Sequence, residues 1–407
     1  MLIKNLFLLF SLMFSSIYAS IEFDIILLTN PKQEHHCTGI IPDEDLPVLP
    51  KIYDDETVIG SIKYKDKVQP FYYHPAKGMK LISIFESKRA FPSMLNKKGI
   101  LVGSFDSNET PDMRSGIFAY DLKAKKLVDI LSHPDFQRFE KFMALSVKIT
   151  ENNLIFVSGL QLNMYDGIEE SGRSFCYDLG SNTVDFDVKQ DFLSINSKKQ
   201  MIGGDYDFKT VGWFFDPIKG FFDISGLDNP DRWASYPQVL TDTGYVAGKA
   251  FGKEEHEKGF LWSADDGFTL INTLGGDFIN IQAANKHGDV AGNSILKHNK
   301  EHAFLFTKKN GVIDLGVIQG NHSHVLAMND AQQIVGRSTV SSKFEWWNTE
   351  AFIWDKKHGM RLLQSLIPSD SGWEKLLTPT SINNRGQIVG LGIYKGRKQI
   401  FLLNPKK

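Results

Sequence analysis

Residues 301–336 read EHAFLFTKKNGVIDLGVIQGNHSHVLAMNDAQQIVG, and two features of this stretch recur along the chain. The first is a polar turn that opens on Asn and leads into an apolar strand closed by glycine. NDAQQIVG (329–336) is matched by NKKGILVG (96–103), NKHGDVAG (285–292) and NNRGQIVG (383–390). NSKKQMIG and TDTGYVAG are close relatives, and DETVIG and NNLIFVSG are weaker copies. The closing glycines are Gly60, Gly103, Gly159, Gly203, Gly248, Gly292, Gly336 and Gly390, with successive gaps of 43, 56, 44, 45, 44, 44 and 54. A period near 44 with two insertions follows.

The second feature is an aromatic pair at spacing two. It runs FYY (71–73), FAY (118–120), FCY (175–177), WFF (213–215), FLW (260–262), FLF (304–306), FIW (352–354), and weakens to FLL (401–403). Alternate residues of a strand share one sheet face, so each pair puts two rings on the same side. A short turn then leads into another apolar run; in Lys-Lys-Asn-Gly before Val312, the glycine supplies a positive φ for a tight hairpin. Asn with Gly before the closing strand supplies turn chemistry of the same kind. Each unit therefore reads as strand, tight turn, strand, longer loop, strand, tight turn, strand, the size of one propeller blade. A single blade cannot bury both faces. Stacked in a ring, blades bury each other, and each buried aromatic contributes about 1.5–3 kcal/mol.

The ends of the repeat fit a closed ring. The last unit stops after its aromatic strand, at 401–405, and lacks a fourth strand. Phe23-Asp24-Ile25-Ile26-Leu27-Leu28 has the pattern of that strand. The expectation is an all-β, single closed β-propeller of eight four-stranded blades, the last completed by the N-terminal strand, which leaves no open edge. Seven blades, with one degenerate unit absorbed, is the alternative count. An open β-solenoid is the rival architecture, for which 44 residues per coil is long.

The 301–336 stretch resembles the bacterial HAF-type extracellular repeat family, whose units start His-Ala-Phe. His302-Ala303-Phe304 is the complete copy; Glu350-Ala351-Phe352 and Lys258-Gly259-Phe260 are variants. The likeness is good from about 239 to 390 and fades toward the N-terminus, where spacing survives better than residues. It implies export from a bacterium and implies no reaction.

The first 19 residues read as a signal peptide: Lys4, then the apolar run 6–13, then Ser15-Ser16-Ile17-Tyr18-Ala19 as a small-residue cleavage region. The run is shorter than the roughly 20 residues of a bilayer span. Residues 20–407 are then the repeat propeller, secreted to the periplasm or beyond, with no membrane span. The chain carries 46 basic and 48 acidic residues for a formal charge of −2, with no basic stripe, so a nucleic-acid partner is not expected. The two cysteines, Cys37 and Cys176, are far apart in sequence; export permits a disulfide, and sequence leaves the pairing open.

Reaction motifs are missing. There is no G-x-S-x-G elbow, no H-E-x-x-H helix, no C-x-x-C pair and no phosphate loop, so no cofactor and no catalytic residue is assigned. His35-His36-Cys37 and Glu254-Glu255-His256-Glu257 are polar clusters that read as solvated loops before they read as metal sites. Asn321-His322-Ser323-His324 lies between units, where a ring presents loops, so His322 and His324 are candidate binding residues. Trp346 and Trp347, in one of the two insertions, are candidates for stacking on a sugar or a partner; packing over their own blade is the plain alternative. Gly372-Trp373 lies further along that same gap. The other insertion places Phe136, Phe139 and Phe142 at helical spacing and suggests a short helix covering the ring. Asp205, Asp207, Asp265 and Asp266 are carboxylates of the kind a glycosidase uses, and also of the kind turns demand. The expected function is a monomeric binding module for a protein or glycan rather than an enzyme. The alternative is a carbohydrate-active hydrolase or lyase with its site at the ring axis.

Overall fold

The computed structural model describes residues 23–28, 49–64, 67–84, 89–106, 115–136, 142–161, 171–186, 192–204, 212–225, 234–251, 257–297, 300–340 and 349–406. The strands form eight four-stranded antiparallel sheets, each a blade. Blade 6 shows the pattern: Ile279–Ala284, Val290–Ile295, Glu301–Thr307 and Gly311–Asp314, hydrogen-bonded in that order. Blade 8 is assembled from both ends of the ring. Trp373–Ile382, Ile388–Tyr394 and Arg397–Pro405 are its first three strands, and Phe23–Leu27 is its fourth, with Phe23 opposite Pro405 and Leu27 opposite Phe401. The count is eight, and the ring closes through the N-terminal strand.

One turn, repeated eight times, explains why blades that differ in sequence share a shape. It joins the first and second strands. The residue at its head donates its N–H to the carbonyl four residues on, and its own carbonyl accepts the N–H three residues on. Asn96, Asn196, Asn285, Asn329 and Asn383 do this, as do Thr150, Thr241 and Tyr53 in the copies that lack Asn. The residue at the fourth place has a positive φ in every copy. In four it is Gly99, Gly244, Gly288 and Gly386; in the others it is Glu56, Asn153, Lys199 and Gln332.

The same turns clasp neighbouring blades. Asn96 Nδ2 donates to Thr150 O at 3.1 Å, Asn196 Nδ2 to Thr241 O at 2.8 Å, and Asn329 Nδ2 to Asn383 O at 3.0 Å. Asn383 Nδ2 closes the ring on Tyr53 O at 3.0 Å. Beside it, the next backbone amide donates to a side chain of the following blade, as Asn384 N does to Asp54 Oδ1 at 2.8 Å. Asn383 also accepts the N–H groups of Arg385 and Gln387 within its own turn. Asn383→Ala should therefore cost about 2–3 kcal/mol, since it strands several buried partners at once. A urea titration checks this, with an exposed turn residue such as Lys356 substituted as the control.

The buried apolar side chains fall into eight clusters, each spanning one junction between adjacent blades. Phe304 and Phe306 of blade 6 meet Ala247 and Leu261 of blade 5, whereas Leu305 between them faces Phe352 and Trp354 of blade 7. The period-two aromatics thus cover the preceding blade, and the residue between them covers the next. The closing glycines Gly60, Gly103, Gly292, Gly336 and Gly390 face the aromatic ring of their own blade's third strand. In seven blades a register shift in the first strand begins opposite the closing glycine, as at Val325/Ala327 opposite Gly336. A Cβ on Gly336 would collide with the His324 carbonyl oxygen and come 2.7 Å from Phe352 Cζ.

The phenylalanine-rich insertion does not run as one helix from Phe136 to Phe142, both of which lie in other elements. Pro134–Phe136 is a single 3-10 turn, and Phe142 opens the first strand of blade 3. Phe139 lies outside the described residues. Phe136 and Phe142 both pack on Phe175, at 4.5 and 5.8 Å between ring centroids, so burial in a blade junction overrides the helical spacing. Trp373 is likewise buried, edge-on to Phe401.

Candidate functional site

Chain direction gives the ring two unlike ends. One carries the tight turns described above. The other carries the connections from second to third strands and from one blade to the next. At that second end, blades 5, 6 and 7 contribute a continuous polar group.

Lys249 lies two residues before the end of the second strand of blade 5 (Val246–Phe251), and Glu257 opens its third strand (Glu257–Ser263). Their side chains pair at 3.3 Å, and Lys249 Nζ sits 4.4 Å above the Phe278 ring centroid. Glu301 opens the third strand of blade 6 and bridges in parallel to His322 of blade 7, where Glu301 N donates to His322 Nδ1 at 3.3 Å. His324 Nδ1 lies 3.6 Å from Glu301 Oε1, and His324 is directly opposite Arg337 in the ladder. His302 pairs with Asp314 at 2.9 Å beside it.

These groups are held in unequal charge states. Burial raises the Glu301 carboxyl above its usual range, and the Lys249 charge partly offsets that. Burial, then the Arg337 guanidinium and His322, push His324 down to about 4. At neutral pH His324 is therefore an uncharged imidazole, and its approach to Glu301 is not an ion pair. Burial also lowers Arg337, whose Nε has no hydrogen-bond partner among the described residues. A buried donor without an acceptor is costly, and a ligand oxygen would satisfy it.

The His324 shift has a stability consequence with a definite sign. The unfolded chain takes up a proton near 6.5, the folded chain only near 4. Stability is complete above pH 6.5 and falls as the pH drops toward and below 4, by about 3 kcal/mol in all. His324→Gln should flatten that part of the pH–stability curve. An unchanged slope in the variant would assign the acid sensitivity elsewhere.

Of the residues singled out from sequence, His322 and His324 belong to this group. Ser323 between them is structural: its hydroxyl donates to Gly316 O and accepts from Ala303 N. Glu257 is in the group through Lys249. Trp346 and Trp347 lie outside the described residues, as do His35, His36, Cys37, Glu254, Glu255, His256, Asp205 and Asp207. Cys176 is buried and its thiol is pushed up to about 12 by burial. Asp265 and Asp266 sit at the opposite end of the ring, in the tight turn before Gly267. They tie blades together through Lys219 at 2.8 Å and Lys308 at 2.6 Å. Among the described residues no set of three or more His, Cys, Asp and Glu is arranged to hold a metal ion. Also among them, no helix is long and apolar enough to cross a membrane.

Lys249, Glu301 and Arg337 were not legible as a site. The available signal is positional. Lys249 and Arg337 directly follow a closing glycine, where other copies carry Ser61, Ser104 and Asn293.

No family model matches the chain, and no curated protein is similar to it. Solved structures are similar in fold. A prolyl endopeptidase matches with a TM-score of 0.56 at 11% identity, over 89% of this chain and 54% of that one. Dipeptidyl peptidase 4 of Porphyromonas gingivalis matches at 0.53 and 10%, over 86% and 55%. A puromycin hydrolase matches at 0.51 and 10%, over 89% and 61%. This chain spans little more than half the length of those proteins, and at such identity what it shares with them is the β-propeller.

Proposed function

We propose that this propeller is an exported binding module that takes a polar ligand, a glycan, at the end of the ring carrying Glu301, His324 and Arg337. The carrying observation is the unmatched Arg337 Nε beside a neutral imidazole and a carboxyl, which together offer donors and acceptors to sugar oxygens. The exposed large apolar side chains among the described residues, Ile218, Phe221 and Leu270, belong to the fourth strands of blades 4 and 5 and the turn before one of them, not to this group. That polar character suits a sugar better than the aromatic-rich surface typical of protein partners. The N-terminal apolar segment and the likeness to exported repeats support secretion, with cleavage after Ala19, which N-terminal sequencing of the mature protein checks.

The test is a glycan array with the mature chain, Arg337→Met, and Trp346→Ala/Trp347→Ala. Arg337→Met should weaken binding at least about tenfold, the loss of one charged hydrogen bond. Binding by no glycan, from protein shown to be folded, sinks the sugar reading and leaves a protein partner. A second reading rests on one observation: the Glu301 carboxyl, raised by burial, has the character of a general acid. Under that reading a bound glycan is cleaved and Glu301→Gln abolishes turnover without abolishing binding. A bound glycan that stays intact removes this reading.

A further inference from the structure

The eight first strands are the innermost, since those of adjacent blades touch one another around much of the ring. The residue two places before each turn head occupies an equivalent place on these strands. Six of them carry Met94, Ser194, Val239, Ala283, Ala327 and Ser381, all uncharged. The remaining two carry Lys51, in blade 1 (Lys51–Ile52), and Lys148, in blade 3 (Phe142–Ile149). Of the eight equivalent positions only these two are charged, both positively, and no carboxylate pairs with either among the described residues.

Both lysines rise from the innermost strands of blades that flank blade 2, at the same register level, Lys51 exposed and Lys148 half-buried. Lys51 is open to water, yet the surrounding protein desolvates it and, with Lys148, pushes it down to about 8. Burial also lowers Lys148. Lys51 lies 5.5 Å from the Tyr53 ring centroid, its one close electrostatic partner that is not another cation. Two like charges at one level, with no carboxylate paired to either among the described residues, are destabilising unless an anion joins them.

We propose that Lys51 and Lys148 form a site for a small divalent oxyanion, of the phosphate or sulfate type, inside the central channel near the tight-turn end. Two cations at one level match a divalent anion better than a single carboxylate. The site is separate from the polar group of blades 5 to 7, so its failure leaves the glycan reading untouched.

Thermal melts in inorganic phosphate against chloride of equal ionic strength test it. Phosphate at millimolar levels should raise the wild-type Tm by about one to three degrees through binding to the folded state. Lys51→Met/Lys148→Met should lose that shift while melting no lower than wild type in chloride, because the repulsion is gone. Should the double variant be insoluble, Lys51→Gln and Lys148→Gln carry the same comparison singly. Lys77→Met, on an exposed turn, should keep the full shift. A wild type that gains nothing over chloride overturns the proposal. So does a shift that survives in the channel variants, which would be a general salt effect.

Discussion

Deleting residues 20–28 should unfold the ring rather than trim it, at a cost of about 6–10 kcal/mol, which is of the order of a domain's entire stability. The strand removed is the outer member of blade 8 and pairs with Arg397–Pro405 over its whole length. Phe23 and Leu28 are buried, 1% and 4% exposed, and they belong to two different junctions: Phe23 to that of blades 7 and 8, Leu28 to that of blades 8 and 1. The deletion therefore opens two of eight junctions and exposes the edge of a three-stranded remnant, a site for aggregation. Phe23→Ala alone should cost about 3–5 kcal/mol. Circular dichroism and urea unfolding of the deletion, beside a chain shortened only to Ser20, measure the effect. A deletion that melts cooperatively near the parent temperature would show that the strand is an accessory.

Gly336→Ala should destabilise by about 3 kcal/mol or more, whereas Gly311→Ala costs about 1. The two glycines fill different needs. Gly336 has an ordinary backbone, but its Cβ would meet the His324 carbonyl and the Phe352 ring, one fixed by the ladder and the other by the core. Gly311 has φ near +69° in the hairpin turn, with nothing within 4 Å of a Cβ, so only the backbone conformation is taxed. Chevron or equilibrium unfolding of both variants separates close approach from turn strain. Equal costs would mean that the first strand shifts away from Gly336 without penalty. The same substitution at Gly292 should behave like Gly336, because its Cβ meets the Asn280 carbonyl and Phe304.

The fold was largely legible because the repeated turn is local chemistry. Asn, a positive-φ residue and a glycine-closed strand lie within eight residues, so their spacing survives where single letters drift. Even the weakest copy, headed by Tyr53, makes the same pair of backbone bonds, with Glu56 in the positive-φ place. The missing fourth strand was legible for a similar reason, since alternating apolar residues at both ends of the chain needed one another. The insertion at 136–142 was not, because helical spacing of three rings says nothing about which neighbours bury them. The site was legible only in part. His322 and His324 stand out in a loop, but the groups that set their charge state, Glu301 and Arg337, come from a neighbouring blade and a neighbouring strand. Within its own segment each looks like an ordinary solvated strand residue. The lysines of the channel were missed outright, because their kinship is the register of two blades and not a motif.

The central claim is that the N-terminal strand closes the ring as the fourth strand of blade 8. A circular permutant measures it most directly. Residue 406 is joined to residue 22 through a short turn, and new ends are opened between residues 29 and 48. The junction then becomes one more hairpin, equivalent to those that join third and fourth strands in blades 1 to 7. The permutant should fold and melt cooperatively at or above the temperature of the parent chain. A permutant that is unfolded, or folded with Phe23 exposed to solvent, would contradict it.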